Sequence, residues 1–225
     1  MLLPIDTLLT PQEVHYCRQQ LAAGPWQDGS LTAGTLAVQV KRNLQLDDHS
    51  EQALQLRQLI LGKLQSHPLF VSATLPSRYF PPKFNCYQDG GHYGLHVDNA
   101  ILALGSPEQL RSDVSCTLFL NSPDEYDGGE LVIETRYGAQ QVKLEAGSLI
   151  IYPSTSLHQV LPVTAGQRIC SFFWIQSLIR DAHQREMLFE LDQSVQALTV
   201  ALGEGDAEVS RLSQLYHNLL REWAV

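Results

Sequence analysis

Positive charge is scarce in this chain. Lys and Arg number 15 against 24 Asp and Glu, a formal net charge of -9 over 225 residues. Nonspecific binding to nucleic acid or to an anionic membrane depends on Lys and Arg neutralising phosphate, so both partner classes are set aside, and the charge decides nothing further about substrate. Cysteine is sparse too. Cys17, Cys86, Cys116 and Cys170 are scattered, with no paired spacing of the zinc or redox type, which excludes a disulfide framework and suits reduced, buried thiols. No apolar run is long enough to span a bilayer, and the opening Met-Leu-Leu-Pro-Ile-Asp has neither a basic leader nor the apolar stretch of a secretory signal. The expected compartment is therefore the cytoplasm. Internal repeats and low-complexity tracts are also missing. What remains, 44% hydrophobic and 17% charged, is enough for one large domain or a domain with an appendage.

Helical signals occupy the two ends. Thr10-Pro11-Gln12-Glu13 has the residue types of a capping box with Pro at the first helical position, and Val14, Cys17 and Leu21 follow at helical spacing, which predicts a helix from about Pro11 to Ala23. Gly24-Pro25 stops it, Trp26-Gln27-Asp28-Gly29 reads as a turn, and Thr35 to Val40 is a short alternating run. Ser50 caps a second helix whose apolar stripe, Ala53, Leu56, Ile60 and Leu64, ends before Pro68. Near the other end, Asp181 to Gln196 and Glu208 to Trp223 carry apolar residues at helical intervals, separated by Gly203-Glu204-Gly205. This tail is expected to pack on the chain's own core, with a homo-oligomer contact as the second option.

Between these ends the pattern changes to short β-branched and aromatic runs punctuated by Gly, Pro and Asp. The candidate strands are Lys83 to Tyr87, Gly94 to Asp98, Ser115 to Leu120, Glu130 to Glu134, Gln140 to Leu144, Ser148 to Tyr152, His158 to Pro162 and Arg168 to Gln176. Asp127-Gly128-Gly129 and Ala146-Gly147 are read as hairpin turns among them. So many strands in so short a span suggest two facing antiparallel sheets. The fold class is thus α+β: a double-stranded β-helix, or jelly roll, with flanking N-terminal helices and a C-terminal helical extension. The expected division is 1–80 as a supporting helix and strand region, 81–178 as the β core and 179–225 as the extension.

The chemistry-bearing stretch runs from Tyr87 to Asn99. His96 and Asp98 sit two apart, so on an extended strand both emerge on one face while Val97 turns away. Chance alone gives about 0.4 His-x-Asp pairs in a chain with 8 His and 12 Asp, so the bare motif is weak and context must decide. The rival pair His49 and Glu51 lies at a helix start, where acidic residues serve the helix N-terminus. His92 and His96 have the helical spacing of a zinc site, but Gly90, Gly91 and Gly94 argue against a helix there. With His158 as a distant third donor, His96 and Asp98 complete the two-His, one-carboxylate face that holds ferrous iron and leaves other positions open. Arg168 shares a strand face with Cys170, Phe172 and Trp174, residue types that normally point inward. If Thr164-Ala165-Gly166 makes a hairpin, Arg168 returns beside the strand of His158. A guanidinium entering such an interior needs an anionic partner, either a carboxylate of the protein or a dicarboxylic co-substrate matched by its fork.

At these residues the chain resembles the PKHD-type hydroxylases, bacterial relatives of prolyl and lysyl hydroxylases. The likeness is carried by His96-Val97-Asp98, Ser115 to Leu120, Asp127-Gly128-Gly129-Glu130-Leu131, Tyr152 to His158 with Arg168, Phe172 to Ser177, and Leu215 to Trp223. The resemblance implies an iron(II)- and 2-oxoglutarate-dependent dioxygenase, an oxidoreductase that couples decarboxylation of 2-oxoglutarate to succinate with C–H hydroxylation by O2. It implies His96, Asp98 and His158 as the Fe(2+) ligands and catalytic centre, Arg168 on the distal carboxylate of 2-oxoglutarate, L-ascorbate as reductant, and a link to iron uptake. Because Asp98 is not the Gly or Ala of related halogenases, hydroxylation is favoured. Tyr87 is a candidate further contact to 2-oxoglutarate, with a buried aromatic packing role as the equal alternative. Phe119 stands where some relatives have a tyrosine hydroxyl, which makes Thr117, on the same strand face, the candidate substitute.

A second class of function stays open on sequence alone: a noncatalytic module that uses the same pocket to sense iron or 2-oxoglutarate. The primary substrate, small molecule or peptide, is set by loops such as Trp26 to Asn43 and Ala100 to Asp113. Arg111 and Lys41 near those loops are read as solvated surface charges in preference to anion contacts.

Overall fold

The computed structural model describes residues 1–29 and 41–225, so the alternating run at Thr35 to Val40 lies outside the described residues. Helix α1 (Pro11–Ala22) begins where the capping box places it: the Glu13 amide donates to Thr10 Oγ1 at 3.3 Å, and the Thr10 amide donates to Glu13 Oε2 at 2.9 Å. Helix α2 (Glu51–Ser66) starts at Ser50, whose Oγ accepts from the Ala53 amide, and its stripe of Ala53, Leu56, Ile60 and Leu64 is wholly buried. Pro68 ends α2 and opens a short helix not expected from the sequence, α3 (Pro68–Thr74), which stops at Leu75 in the left-handed region with φ +43°.

These helices cover one face of an eight-stranded sheet. Its strand order is Leu3–Ile5, Leu149–Pro153, Val114–Phe119, Arg168–Ser177, Lys83–Tyr87, Leu44–Leu46 and Trp26–Asp28, with Pro76–Tyr79 also paired to Arg168–Ser177. A five-stranded sheet follows the order Gly138–Val142, Leu131–Thr135, His158–Val160, His92–His96 and Lys41–Arg42. All pairings are antiparallel. Alternation along the strands splits the core in two. Val114, Cys116, Leu118, Phe173 and Ile175 join the helix-side cluster, while Phe119, Ile150, Tyr152 and Cys170 meet Leu131, Ile133 and Val160 of the smaller sheet. The large sheet is therefore buried on both faces, by helices on one and by the second sheet on the other.

Each of the eight expected strands is present, most within one or two residues of its predicted ends, but several connections differ from expectation. The first functional strand is His92–His96, which leaves Asp98 just beyond its end. Thr164-Ala165-Gly166 is not a hairpin: Val163–Gly166 pairs with Tyr126–Gly128, and the chain then passes into the large sheet, so Arg168 lies beside Tyr87 and not beside His158. Gly166 makes that passage at φ +72°, with Glu125 O only 2.3 Å from where a Cβ would stand. Asp127-Gly128-Gly129 is a bulge and not a hairpin turn, because the register shifts between Asp127 and Gly128, and both glycines have positive φ. The turn expected at Trp26-Gln27-Asp28-Gly29 is instead the edge strand Trp26–Asp28, fixed by its ladder to Leu44–Leu46 and by Trp26 Nε1 donating to Leu21 O at 2.8 Å.

The C-terminal helices α4 (Ala182–Leu202) and α5 (Ala207–Trp223) are capped by Asp181 and Asp206 and pack on each other, with α4 also packing on α3. Leu188 of α4 is buried with Leu75 and Ile179, and Leu219, Leu220 and Trp223 of α5 close over them. Buried Arg185 ties α4 to the sheet region by donating to Ile179 O at 2.7 Å and Asp113 O at 3.2 Å. The extension thus packs on the chain's own core. Among the described residues no helix is long and apolar enough to cross a membrane.

Candidate metal centre

His158 opens the strand His158–Val160 and is the direct ladder partner of His96 at the end of His92–His96. Neighbouring ladder residues share a face, so the two imidazoles stand together with ring centroids 4.2 Å apart. Val97 is 49% exposed, and Asp98 beyond it turns back to the same side, with its Oδ2 3.9 Å from His158 Nε2. Ligand atoms of His96, Asp98 and His158 all lie within 4.8 Å of one another. No other residues among those described gather in this way. His49 and Glu51 stay at the start of α2, and the strand through His92 and His96 excludes the helical zinc arrangement.

Each imidazole is oriented from behind. His96 Nδ1 lies 2.7 Å from Gly94 O and His158 Nδ1 lies 3.0 Å from Ser156 O. A carbonyl only accepts, so Nδ1–H donates in both rings and each Nε2 lone pair is left for the shared centre. Burial and then the nearness of His158 push His96 down to about 4, which keeps its ring uncharged at neutral pH, the form a metal requires. The Tyr93 ring stacks on His96 at a centroid distance of 3.6 Å, and Tyr152 meets His158 edge-on at 5.1 Å. Asp98 is held from the opposite sheet: buried Ser115 donates from Oγ to Asp98 Oδ2 at 2.6 Å, and Ser154 Oγ lies 2.8 Å from Ser115 Oγ. Sequence reasoning assigns no role at the site to Ser115, Ser154 or Tyr93. For Ser115 a signal exists, since it precedes Thr117 by two on the face already assigned inward.

Arg168 occupies the other end of a cavity of about 670 Å³ that the triad also lines. Its residue is 1% exposed, yet among the described residues no carboxylate meets it. Nη1 donates to Cys170 Sγ at 3.0 Å, the guanidinium carbon lies 5.4 Å from the Tyr87 ring centroid and 5.2 Å from that of Phe119, and Nε and Nη2 have no hydrogen-bond partner among the described residues. A protein carboxylate as the partner of Arg168, one of the two options open on sequence, is thereby excluded among the described residues. The planar fork aims unused donors into the cavity, which is the chemistry a dicarboxylate would satisfy. Tyr87 is buried beside it, its hydroxyl accepting from Asn85 Nδ2 at 3.3 Å, and Thr117 lines the same cavity. Of the two cations read as solvated, Arg111 is paired with Asp113 at 2.7 and 2.8 Å, whereas Lys41 is a half-buried cavity residue.

Comparison with known proteins decides the family. Residues 82–176 match the model of the 2OG-Fe(II) oxygenase superfamily, and residues 182–224 match the PKHD-type hydroxylase C-terminal domain. A PKHD-type hydroxylase of Pseudoalteromonas atlantica is 56% identical, the alignment covering 100% of this chain and 99% of the relative. The chain belongs to the PKHD-type hydroxylases. Like other members it is a 2-oxoglutarate-dependent hydroxylase, an oxidoreductase, of a superfamily that works with Fe(2+) and O2. Similar folds include a Pseudomonas putida prolyl-4-hydroxylase (TM-score 0.55, 20% identity, 78% of this chain and 92% of that one). HygX from Streptomyces hygroscopicus, solved with nickel and 2-oxoglutarate bound, is a second (TM-score 0.56, 14% identity, 76% of this chain and 81% of that one).

Proposed function

We propose that His96, Asp98 and His158 hold one ferrous ion and that Arg168 binds the distal carboxylate of 2-oxoglutarate, on a core of the double-stranded β-helix type spanning 81–178. The support is a single observation: a buried guanidinium with two unused donors shares one cavity with three side chains whose ligand atoms lie within 4.8 Å. Two uncharged nitrogens and a carboxylate suit ferrous iron and leave further coordination positions for substrates. When bound, iron with 2-oxoglutarate and O2 supplies oxidative decarboxylation to succinate coupled to C–H hydroxylation, with L-ascorbate keeping the metal ferrous. The residues of the chain set geometry and exclude side reactions. Gly94 O and Ser156 O fix the two rings, Ser115 fixes the carboxylate, and Arg168 fixes the far end of the diacid. Tyr87 and Thr117 are positioned beside the diacid's path to add hydrogen bonds to it. Residues 1–80 and 179–225 act as supports, the first covering the helix-side face of the large sheet and the second bracing α3.

The test is uncoupled turnover. Purified protein incubated with Fe(II), ascorbate, 2-oxoglutarate and oxygen is expected to form succinate, and His96→Ala is expected to lose this activity by more than the roughly 10–100-fold that a change behind the ligands costs. Equal succinate from the variant would remove the triad from the chemistry. Tight 2-oxoglutarate binding with no turnover would favour a sensor.

A further inference from the structure

The strand register divides the cavity. Asp98 is tied to Ser115, and His158 lies against Tyr152, the ladder partner of Ser115, so the triad sits over those two strands. Arg168 contacts Phe119 on the same side, so a diacid joining Arg168 to the triad runs over Thr117. The neighbouring strand forms the next flank: Phe172 and Trp174, on the same strand face as Arg168, are the ladder partners of Thr117 and Ser115. With Phe80 they make an aromatic wall, Trp174 lying edge-on to Phe80 at 5.6 Å and to Phe172 at 5.5 Å. The Trp174 Nε1–H on that flank is buried with no acceptor among the described residues.

Charge identifies the guest. In a chain of net charge -9, the described residues lining the cavity include three cations, Lys41, Lys83 and Arg168, and a single carboxylate, Asp98. Asp98 belongs to the metal centre, Arg168 to the co-substrate, and Lys83 is paired with Asp48. Lys41 remains. Its ammonium donates to Gln45 Oε1 at 3.4 Å and lies 5.5 Å from the centroid of the Tyr93 ring, and it has no ion pair among the described residues. Tyr93 in turn stacks on His96, which sets Lys41 at the rim of the metal centre. A half-buried cation whose attraction to Asp28 falls short of an ion pair, and which has none among the described residues, favours an anionic guest, and an edge-to-face aromatic wall favours a flat apolar one.

We propose that the primary substrate is a small anion with a planar apolar body, its negative group held by Lys41 and its body laid against Phe80, Phe172 and Trp174. The cavity volume is in the range of small-molecule sites. This rests on the reading of the metal and 2-oxoglutarate sites given above.

The probe pair is 2-naphthoate and 2-naphthylmethanol, alike in body and different in charge, titrated calorimetrically into anaerobic protein already saturated with Fe(II) and 2-oxoglutarate. The carboxylate is expected to bind about tenfold tighter than the alcohol, the scale of one charge-assisted hydrogen bond. Lys41→Met, with Lys41→Gln as the second variant, should erase that preference and leave the dissociation constant of 2-oxoglutarate unchanged. Trp174→Leu should weaken both probes together. Equal affinity for the two probes, binding of neither, a preference that survives both Lys41 variants, or displacement of 2-oxoglutarate by the naphthoate would each overturn the proposal. If 2-oxoglutarate itself fails to bind the ferrous protein, the underlying reading falls and takes this one with it; if it binds and only the naphthoate preference is missing, this one falls alone.

Discussion

The two faces of the large sheet use the same strands for opposite ends. Toward α1, α2 and α3, Val114, Cys116, Leu118, Phe173 and Ile175 present apolar surface that the helices bury, and Ser171 Oγ is buried without a partner among the described residues. Toward the smaller sheet, the next residues along, Ser115, Thr117, Arg168, Cys170 and Trp174, line a cavity in which Arg168 Nε and Nη2, Asn85 Oδ1 and Trp174 Nε1 have no partner among the described residues. Unpaired buried donors and acceptors cost free energy, a charged donor most of all. One face therefore supplies stability that the other, with its unpaired groups, does not.

That contrast can be broken face by face. The largest effect is expected on the helix side. Leu118→Ala should destabilise the fold by about 2–5 kcal/mol in urea denaturation while leaving the KM for 2-oxoglutarate of the folded protein unaltered. A changed KM with unchanged stability would invert the roles assigned to the two faces. On the cavity side the sign reverses: Arg168→Met should leave metal-free stability unchanged or raise it by about 1–4 kcal/mol, because an unpaired buried charge is replaced by apolar volume. The same variant should lose measurable 2-oxoglutarate binding. Severe destabilisation of Arg168→Met would mean that the guanidinium serves the fold. The smallest effect sharpens the division within the cavity. Ser115→Ala should weaken ferrous binding by about 10–100-fold through loss of the Asp98 contact, with a melting temperature close to wild type. Unchanged metal affinity would make Ser115 a packing residue only.

Elements set by local rules are legible in the sequence. The Thr10 capping box, the α2 stripe and the strand Lys83–Tyr87 follow from spacing, and each forms within a residue or so of its expected bounds. The clustering of His96, Asp98 and His158 is legible because Asp98, although just past the strand end at His96, still turns to the same side, and because several ordered motifs agree. Sheet membership is not. Whether Arg168 joins the strand of His158 or crosses to the other sheet depends on Gly166 in the left-handed region and on pairing with distant Tyr126–Gly128, which no local pattern encodes. Arg168 reaches the expected pocket all the same, because the two sheets face each other. Lys41 illustrates the same limit. Its burial comes from pairing with Tyr93, far along the chain, so the sequence read locally makes it a surface charge.

The most direct test is an anaerobic titration of metal-free protein with ferrous ion and then with 2-oxoglutarate, in wild type and Arg168→Met. The prediction is one ferrous ion bound per chain in both proteins and 2-oxoglutarate bound by wild type alone. A wild type that takes up no ferrous ion, or an Arg168→Met protein that binds 2-oxoglutarate as wild type does, would contradict a metal triad working beside a guanidinium kept free for the co-substrate.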